Sequence, residues 1–458
     1  MKSSKAQIHT RVYRLPDLRF EDHHLTSFSG LVLLQALFRH IGLRDRLHRC
    51  FTHLSKGMIV GLPTVTLLLI VHLMLGYRRL RDLDRYRDDP LAARTLGLRR
   101  LPHVSTVSRT LARMDRQSVA KLQDLNRTLV LDRLQQEGLP RVTMDFDGSV
   151  ISSGRYAEGL AVGYNTKKKG QRSYYPLFCT VAQSAQVLDV LHRSGNVHDS
   201  HGAVSFMRDC IASVRERLPG VALESRKDAA FFSDEIVTFL DTQRVEFTIS
   251  VPFERFPELK RMIEVRRRWR RLDGEWDYFE TSWSPGCWKS RYRVLLLRHR
   301  VRVHHKEPVQ LELFAPHKEG YDFKAVVTNK VGSAKGILLF HNGRGAQENE
   351  FAELKSQCQM DYVPTRRLAG NQVYFLSAVL AHNLYRELQM GARAAERGTM
   401  SKRPALWIFA EAATIRQHLI HRAGRLTRPQ GRLRLTLSGN RLTRDEFLGY
   451  LRSLKKTA

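Results

Sequence analysis

The sequence predicts an α/β protein with a mixed-sheet core, an all-helical N-terminal domain ahead of it and a β-rich insertion within it. Three observations predict this class. Residues 20–140 carry apolar side chains at helical spacing. At residue 141 the pattern changes to period-two alternation and then to strands alternating with helices, which indicates a mixed sheet. From 253 to 335 the chain turns β-rich and strongly basic and holds four of the five tryptophans, Trp269, Trp276, Trp283 and Trp288.

Length and composition bound the function. The 458 residues suggest two to four structural units, and 42% hydrophobic with 26% charged residues is the balance of a folded globular protein. Lys and Arg number 76 against 45 Asp and Glu, a net charge of +31. Self-repulsion on that scale favours a polyanionic partner, nucleic acid first and an anionic membrane surface second. Five scattered cysteines without a Cys-x-x-Cys pair suit a reducing compartment and no disulfide or zinc framework. No secretory signal is read at the N-terminus. The apolar run 57–77 is interrupted by Pro63, Thr64, Thr66 and His72, which favours a buried helix starting near Pro63 over a membrane span. A soluble, cytoplasmic protein with no membrane partner is expected.

The elements follow in order. "SGLVLLQALFRHIGLRDRL" is helical, and "STVSRTLARMDRQSVAKLQDLNRTLVLDRLQQEG" reads as a helix opened by Ser105 and closed near Gly138. Its start, with Thr106, Ser108 and Arg109, is compatible with a DNA-reading helix or with plain helix packing. "RVTMDFDGSVISS" is a strand, "YYPLFCTVAQSAQVLDVLHRSGN" two more in a hairpin, and "GAVSFMRDCIASVRERLPG" an amphipathic helix. "VALESRKDAAFFSDEIVTFLDTQRVEFTISVPF" reads strand, turn, helix, strand. Helices return at 345–360 and 370–397, and a basic tail follows from 401. The expected domains are 1–140, 141–252, 253–335, 336–400 and 401–458, the second and fourth being parts of one core.

Candidate chemistry lies on carboxylates. Asp145 and Asp147 alternate on the first strand and so share one face of the sheet. Buried carboxylates need a paired charge or a cation. Asp228 follows the "VALES" strand at a strand-to-helix turn, a common place for functional groups in α/β proteins. In "HNGRGAQENEFAELKSQ", at about 100° per residue, Arg344 lies about 40° and Lys355 about 20° from Glu348. Glu350 and Glu353 fall roughly 160° and 140° away. One carboxylate thus stands between two cations on a single stripe. Oxygen ligands on a basic α/β protein suit Mg²⁺ or Mn²⁺ in a phosphodiester site. His192, His198 and His201, and His304 with His305, lack zinc spacing and read as loop polar residues or phosphate contacts.

At these residues the chain resembles the DDE transposases of bacterial insertion sequences, the cut-and-paste group with a ribonuclease H-like core and a β-rich insertion before the last acidic residue. "MDFDGS" is similar to the first-strand Asp-x-Ser/Thr element, with Asp147 and Ser149 the best match. "GNVHDS" at 195–200 is similar to the segment after the third strand, and "RKDAAFFSDEIVTFL" to the second-Asp motif. The Tyr-x2-Arg-x3-Glu-x6-Lys signature is met by Arg344, Glu348 and Lys355, with His341 in place of its Tyr, and "NQVYFLSAVLAHNLYREL" is similar to the helix that follows. The resemblance covers roughly 20–400, with 81 residues from Asp147 to Asp228 and 120 from there to Glu348.

The resemblance implies that Asp147, Asp228 and Glu348 bind catalytic Mg²⁺ or Mn²⁺, with Asp145 the alternative first ligand or a partner to it. It implies that Arg344, Lys355 and His341 hold DNA phosphates, and that a tryptophan, Trp283 or Trp288, stacks on a flipped base, a contact worth about 1–3 kcal/mol. The expected activity is cleavage at element ends and transfer of the 3′-OH ends to target DNA, by a synaptic homodimer on double-stranded DNA with terminal inverted repeats, in the bacterial cytoplasm at the nucleoid. A nuclease that cuts without joining, or a non-catalytic transposase-derived DNA-binding protein, stays open on the residues alone.

Overall fold

The computed structural model describes residues 15–54, 60–163, 165, 168–198, 201–300, 321–397 and 405–456. Six helices open the chain: α1 (Leu31–His40), α2 (Leu43–Cys50), α3 (Leu62–Met74), α4 (Pro90–Thr95), α5 (Val104–Ala112) and α6 (Arg116–Glu137). In α3, Pro63 occupies the first turn, where a missing N–H leaves no bond unmade. Almost every α3 side chain is buried, so this apolar run is a core helix. Among the described residues no helix is long and apolar enough to cross a membrane. The single helix expected from Ser105 to Gly138 is two. Asp115 is extended, and its carboxylate accepts the Ser118 N–H at 2.8 Å, capping a new helix at Arg116. His103, not Ser105, caps α5.

The sheet has nine strands: β1 (Arg141–Gly148), β2 (Leu177–Val181), β3 (Gln186–Leu191), β4 (Ala222–Lys227), β5 (Glu246–Val251), β6 (Arg270–Arg271), β7 (Trp276–Trp283), β8 (Tyr292–Arg300) and β9 (Tyr321–Thr328). Their spatial order is β3-β2-β1-β4-β5-β9-β8-β7-β6. β1 is antiparallel to β2 and parallel to β4, β4 is parallel to β5, and β9 is antiparallel to β5. The strands expected as an insertion are therefore hydrogen-bonded onto the edge of the core sheet and lengthen it.

The period-two alternation fixes what each face carries. Met144, Phe146, Phe247, Ile249, Ala325 and Val327 point to one side, where they form a core with α7 (Ala203–Arg217), α8 (Asp234–Thr242) and α9 (Pro257–Val265). The opposite face carries Asp145 and Asp147 on β1, Arg226 on β4, Thr248 and Ser250 on β5, and Lys324 and Val326 on β9. Two helices from the end of the sheet region, α10 (Ala334–Asn342) and α11 (Ala346–Ser356), lie over this polar face. Helix α12 (Leu368–Ala392), 25 residues long, packs against α3 and α6 in a core that also takes in the short α13 (Ala412–Ile415) and α14 (Arg441–Lys456).

Candidate active site

The carboxylates are positioned by register. The paired rungs of β1 and β4 end at Asp145 opposite Arg226. Asp147 lies two residues further along β1, still paired with Phe178, and Asp228 directly follows the last residue of β4, so both stand towards the C-terminal ends of adjacent parallel strands. Below them Arg226 grips Asp145 with both ends of its fork, Nε to Oδ1 at 2.8 Å and Nη2 to Oδ2, and both side chains are fully buried. The third guanidinium nitrogen donates to the Phe340 carbonyl at the end of α10 at 3.2 Å. One arginine thus ties the strand bearing Asp147, the strand bearing Asp228 and the helix leading to Arg344. Asp228 accepts the Ala230 N–H at 3.0 Å, which fixes the turn after β4.

Residues 343–345 form a single 3-10 turn, and Asn342 to Ala346 all keep right-handed helical angles. The helical stripe therefore survives the junction. Arg344 places Nη1 3.4 Å from Asp147 Oδ2 and Nη2 3.8 Å from Glu348 Oε1, so the strand carboxylate and the helix carboxylate share one guanidinium. Glu348 is 68% exposed and Lys355 half-buried in the last turn.

The inner face of α11 is held by other residues. Gln347 donates to the Asp145 carbonyl at 3.1 Å, and Phe351 packs on Phe178. Glu353 pairs with Arg386 of α12 and accepts the Ala412 N–H at 2.8 Å. Burial pushes the Glu350 carboxyl up to about 8. Glu350 and Glu353 are both buried and lie on faces of the helix away from Glu348, with Glu353 fixing α11 to α12.

Several expected site residues have other positions. Asp145 has both oxygens on Arg226 and is a structural anchor, not a spare metal ligand. His341 is buried, with Nε2 2.9 Å from the Ser250 hydroxyl and Nδ1 3.0 Å from that of Thr248. Burial, then the Lys324, Arg344 and Arg226 cations, hold it well below the ordinary imidazole range, so it is neutral and turned from solvent. It ties α10 to β5 in place of a phosphate contact. Trp283 is 3% exposed, enclosed by Phe256 and Phe232, and has no face to offer a base. Trp288 is half-buried, with its ring 4.8 Å from that of Phe232. Arg109 lies exposed on α5.

The histidines likewise have defined surroundings. His192 is half-buried, with its ring nitrogens enclosed and its ring against Tyr174 and Phe375, and this enclosure lowers it to about 4. The carbonyls of His198 and His201 receive Arg193. His304 and His305 lie outside the described residues. Among the described residues no three His, Cys, Asp or Glu side chains stand together as a group that could hold a metal ion.

Sequence reading passed over three features. Arg226 carries a detectable signal: it precedes Asp228 by two, as Asp145 precedes Asp147. Lys324 carries none beyond strand alternation. The third is a cleft of about 670 Å³ lined by Arg78, Arg79 and Arg81 from the N-terminal part together with Ser108 and Arg155.

Residues 13–458 match the family described as Transposase DDE domain group 1. No curated protein matches the chain. Among solved structures, the piggyBac transposase synaptic complex with hairpin DNA, determined by cryo-EM, is 11% identical with a TM-score of 0.38, over 78% of this chain and 74% of that one. The family match runs over nearly the whole sequence and takes in both strand aspartates and the Arg344–Glu348–Lys355 stripe: the chain belongs to the Transposase DDE domain group 1 family.

Proposed function

We propose that the chain is an active transposase that cleaves DNA at the ends of a mobile element and joins the freed 3′-OH ends to target DNA, with Asp147, Asp228 and Glu348 as its catalytic carboxylates. The observation that carries the reading is the Arg344 bridge, which brings the signature helix to the first-strand aspartate. Strands β1 to β5 also follow the order 3-2-1-4-5 with β1 central and β2 antiparallel to it, which supports a ribonuclease H-like core.

The donors are oxygens throughout, and Asp147 and Asp228 stand towards the C-terminal ends of neighbouring strands, which fits Mg²⁺ or Mn²⁺ better than zinc. Asp147, Asp228 and Glu348, all among the described residues, do not stand together as a metal-holding group in this structure. They would hold the ions once drawn together around them, and bound ions supply an activated water and stabilise the leaving oxygen. The rest is done by the chain itself. Arg226 fixes both strands through Asp145. The Glu353–Arg386 pair fixes α11, leaving Glu348, Arg344 and Lys355 on its outer side. Arg344 spans the two carboxylates; a DNA phosphate would compete for its planar fork, because fork and phosphate match in charge and geometry. Lys355 meets the same backbone further along the helix. The Arg78–Arg155 cleft, exposed Arg109 and the half-buried Trp288 extend the DNA path. Two copies would assemble on paired inverted repeats, in the cytoplasm of a bacterial host.

Purified protein with Mg²⁺ or Mn²⁺ and an element-end duplex tests this directly. Asp147→Ala, Asp228→Ala and Glu348→Ala should each lower cleavage by at least about 100-fold while the melting temperature holds. Undiminished cleavage by the Asp228 and Glu348 variants overturns the assignment, and cleavage without joined products reduces the protein to a nuclease.

A further inference from the structure

Lys324 has no place in the proposed carboxylate machinery, yet its position on β9 brings it close to it. It shares its sheet face with Val326, which pairs with Ser250, beneath the helix that ends at Asn342. Its Nζ donates to Asn342 Oδ1 at 2.8 Å, and Arg344 follows two residues later. No carboxylate within ion-pair distance of Lys324 is found among the described residues. Its hydrogen-bond partner is a neutral amide. Arg344 is so near that its charge opposes that of Lys324.

Two cations gathered over a partly enclosed face repel one another and lose hydration, an arrangement that an anion lying between them would relieve. Asn342 completes the set: with its oxygen accepting from Lys324, its exposed NH₂ is available to donate. We propose that Lys324, Asn342 and Arg344 form a phosphate subsite beside Asp147 and Glu348, taking a DNA backbone phosphate adjacent to the one cleaved. Lys324 is a positioning residue there, and the assignment of the phosphate to DNA rests on the proposed function.

The subsite has an intrinsic pH signature. Burial, then Arg344, lowers Lys324 to about 8. Charged and titratable groups face this region from β1 (Asp145, Asp147), β4 (Arg226), α10 (His341) and the turn and helix that follow (Arg344, Glu348, Glu350), with Asp322 and its cross-strand partner His299 one step along the sheet. His341 is held neutral, and Glu350, buried on the inner face of α11, is pushed up to about 8, so Lys324 and Glu350 both change charge between pH 7 and 9, while Lys324 alone of the two carries an amine. An anion seated beside it favours the charged ammonium and raises its titration point.

Pyridoxal 5′-phosphate is a suitable probe, because its phosphate can seat in the subsite while its aldehyde condenses with a neighbouring lysine amine, releasing water. Borohydride then reduces the imine to a stable secondary amine, which peptide mass spectrometry locates. The full-length protein should be labelled at Lys324 at least about tenfold more by pyridoxal phosphate than by pyridoxal, with protection by inorganic phosphate and by duplex DNA. Arg344→Ala should weaken both the preference and the protection. In a second measurement, Lys324→Ala should lower the salt slope of duplex binding by about 1, and Lys324→Arg should restore it. Equal labelling by pyridoxal and its phosphate, or labelling that inorganic phosphate does not block, overturns the subsite. If labelling is phosphate-dependent but wild-type protein shows no metal-dependent cleavage, the anion subsite stands and the transposase reading falls.

Discussion

Asp145 and Asp147 are two residues apart on one strand and one face, yet the structure gives them opposite work. Asp145 is sealed under the sheet edge with Arg226, whereas Asp147 reaches the edge and meets Arg344 at 3.4 Å. The sequence offers both as metal ligands, because alternation assigns the face but not the depth. Depth is set by where β4 pairs, and its partner residue is 81 positions away. Removing one member of a buried ion pair leaves the other charged and desolvated, a loss of about 3–5 kcal/mol. Arg226→Gln should therefore lower the unfolding free energy by about 3–5 kcal/mol, read as a fall in the urea midpoint multiplied by the slope m, and lower cleavage with it, since both strands and α10 lose their tie. Asp147→Asn, with its carboxylate partly exposed, should leave the midpoint nearly unchanged while abolishing cleavage. Denaturation curves of the two variants separate anchor from catalyst; equal stability would return Asp145 to the list of ligands.

At the scale of elements, what was legible was local. The period-two run at 141–148, the helical stripe of Arg344, Glu348 and Lys355 and the turn after β4 all depend on neighbours within a few residues, and each forms where expected. Long-range partners were not legible. His341 holds a signature position, but its two hydroxyl partners come from β5, more than 90 residues earlier. Trp283 sits near "SPGC", a turn sequence, and so reads as a loop aromatic. It is the last residue of β7, and its side chain turns inward onto Phe232 and Phe256. A core tryptophan should behave as one: Trp283→Ala should cost about 3–5 kcal/mol of stability through transfer and cavity terms. Trp288→Ala, at a half-buried site, should cost less and act mainly on DNA binding. Thermal melts of both variants, alongside duplex affinity at a temperature where each is folded, check the division; a Trp283 variant of unchanged stability with lost DNA affinity would restore base stacking to that ring.

For the whole molecule the governing quantity is a charge of +31. Not all of the 76 basic side chains are available to a polyanion, because many are committed inside the fold. Arg226, Arg133 and Arg386 are buried in ion pairs, and Arg193 is spent on backbone carbonyls. The cations left at the surface decide DNA binding, and one set lines a cleft between the helical N-terminal part and the segments 152–155 and 361–364, where Arg81 and Arg155 are both exposed. Each phosphate neutralised releases counterions, so the logarithm of affinity should fall linearly with that of salt concentration. With about 6–10 contacts, affinity drops roughly 10³–10⁵-fold between 50 and 200 mM salt. Arg81→Ala with Arg155→Ala should lower that slope by about 2, one for each contact, and leave the melting temperature in place because both side chains are exposed. Fluorescence anisotropy of a labelled duplex across a salt series measures the slope. A double variant with the wild-type slope would remove this cleft from the DNA path, and the N-terminal helices would then act on the sheet through their shared core alone.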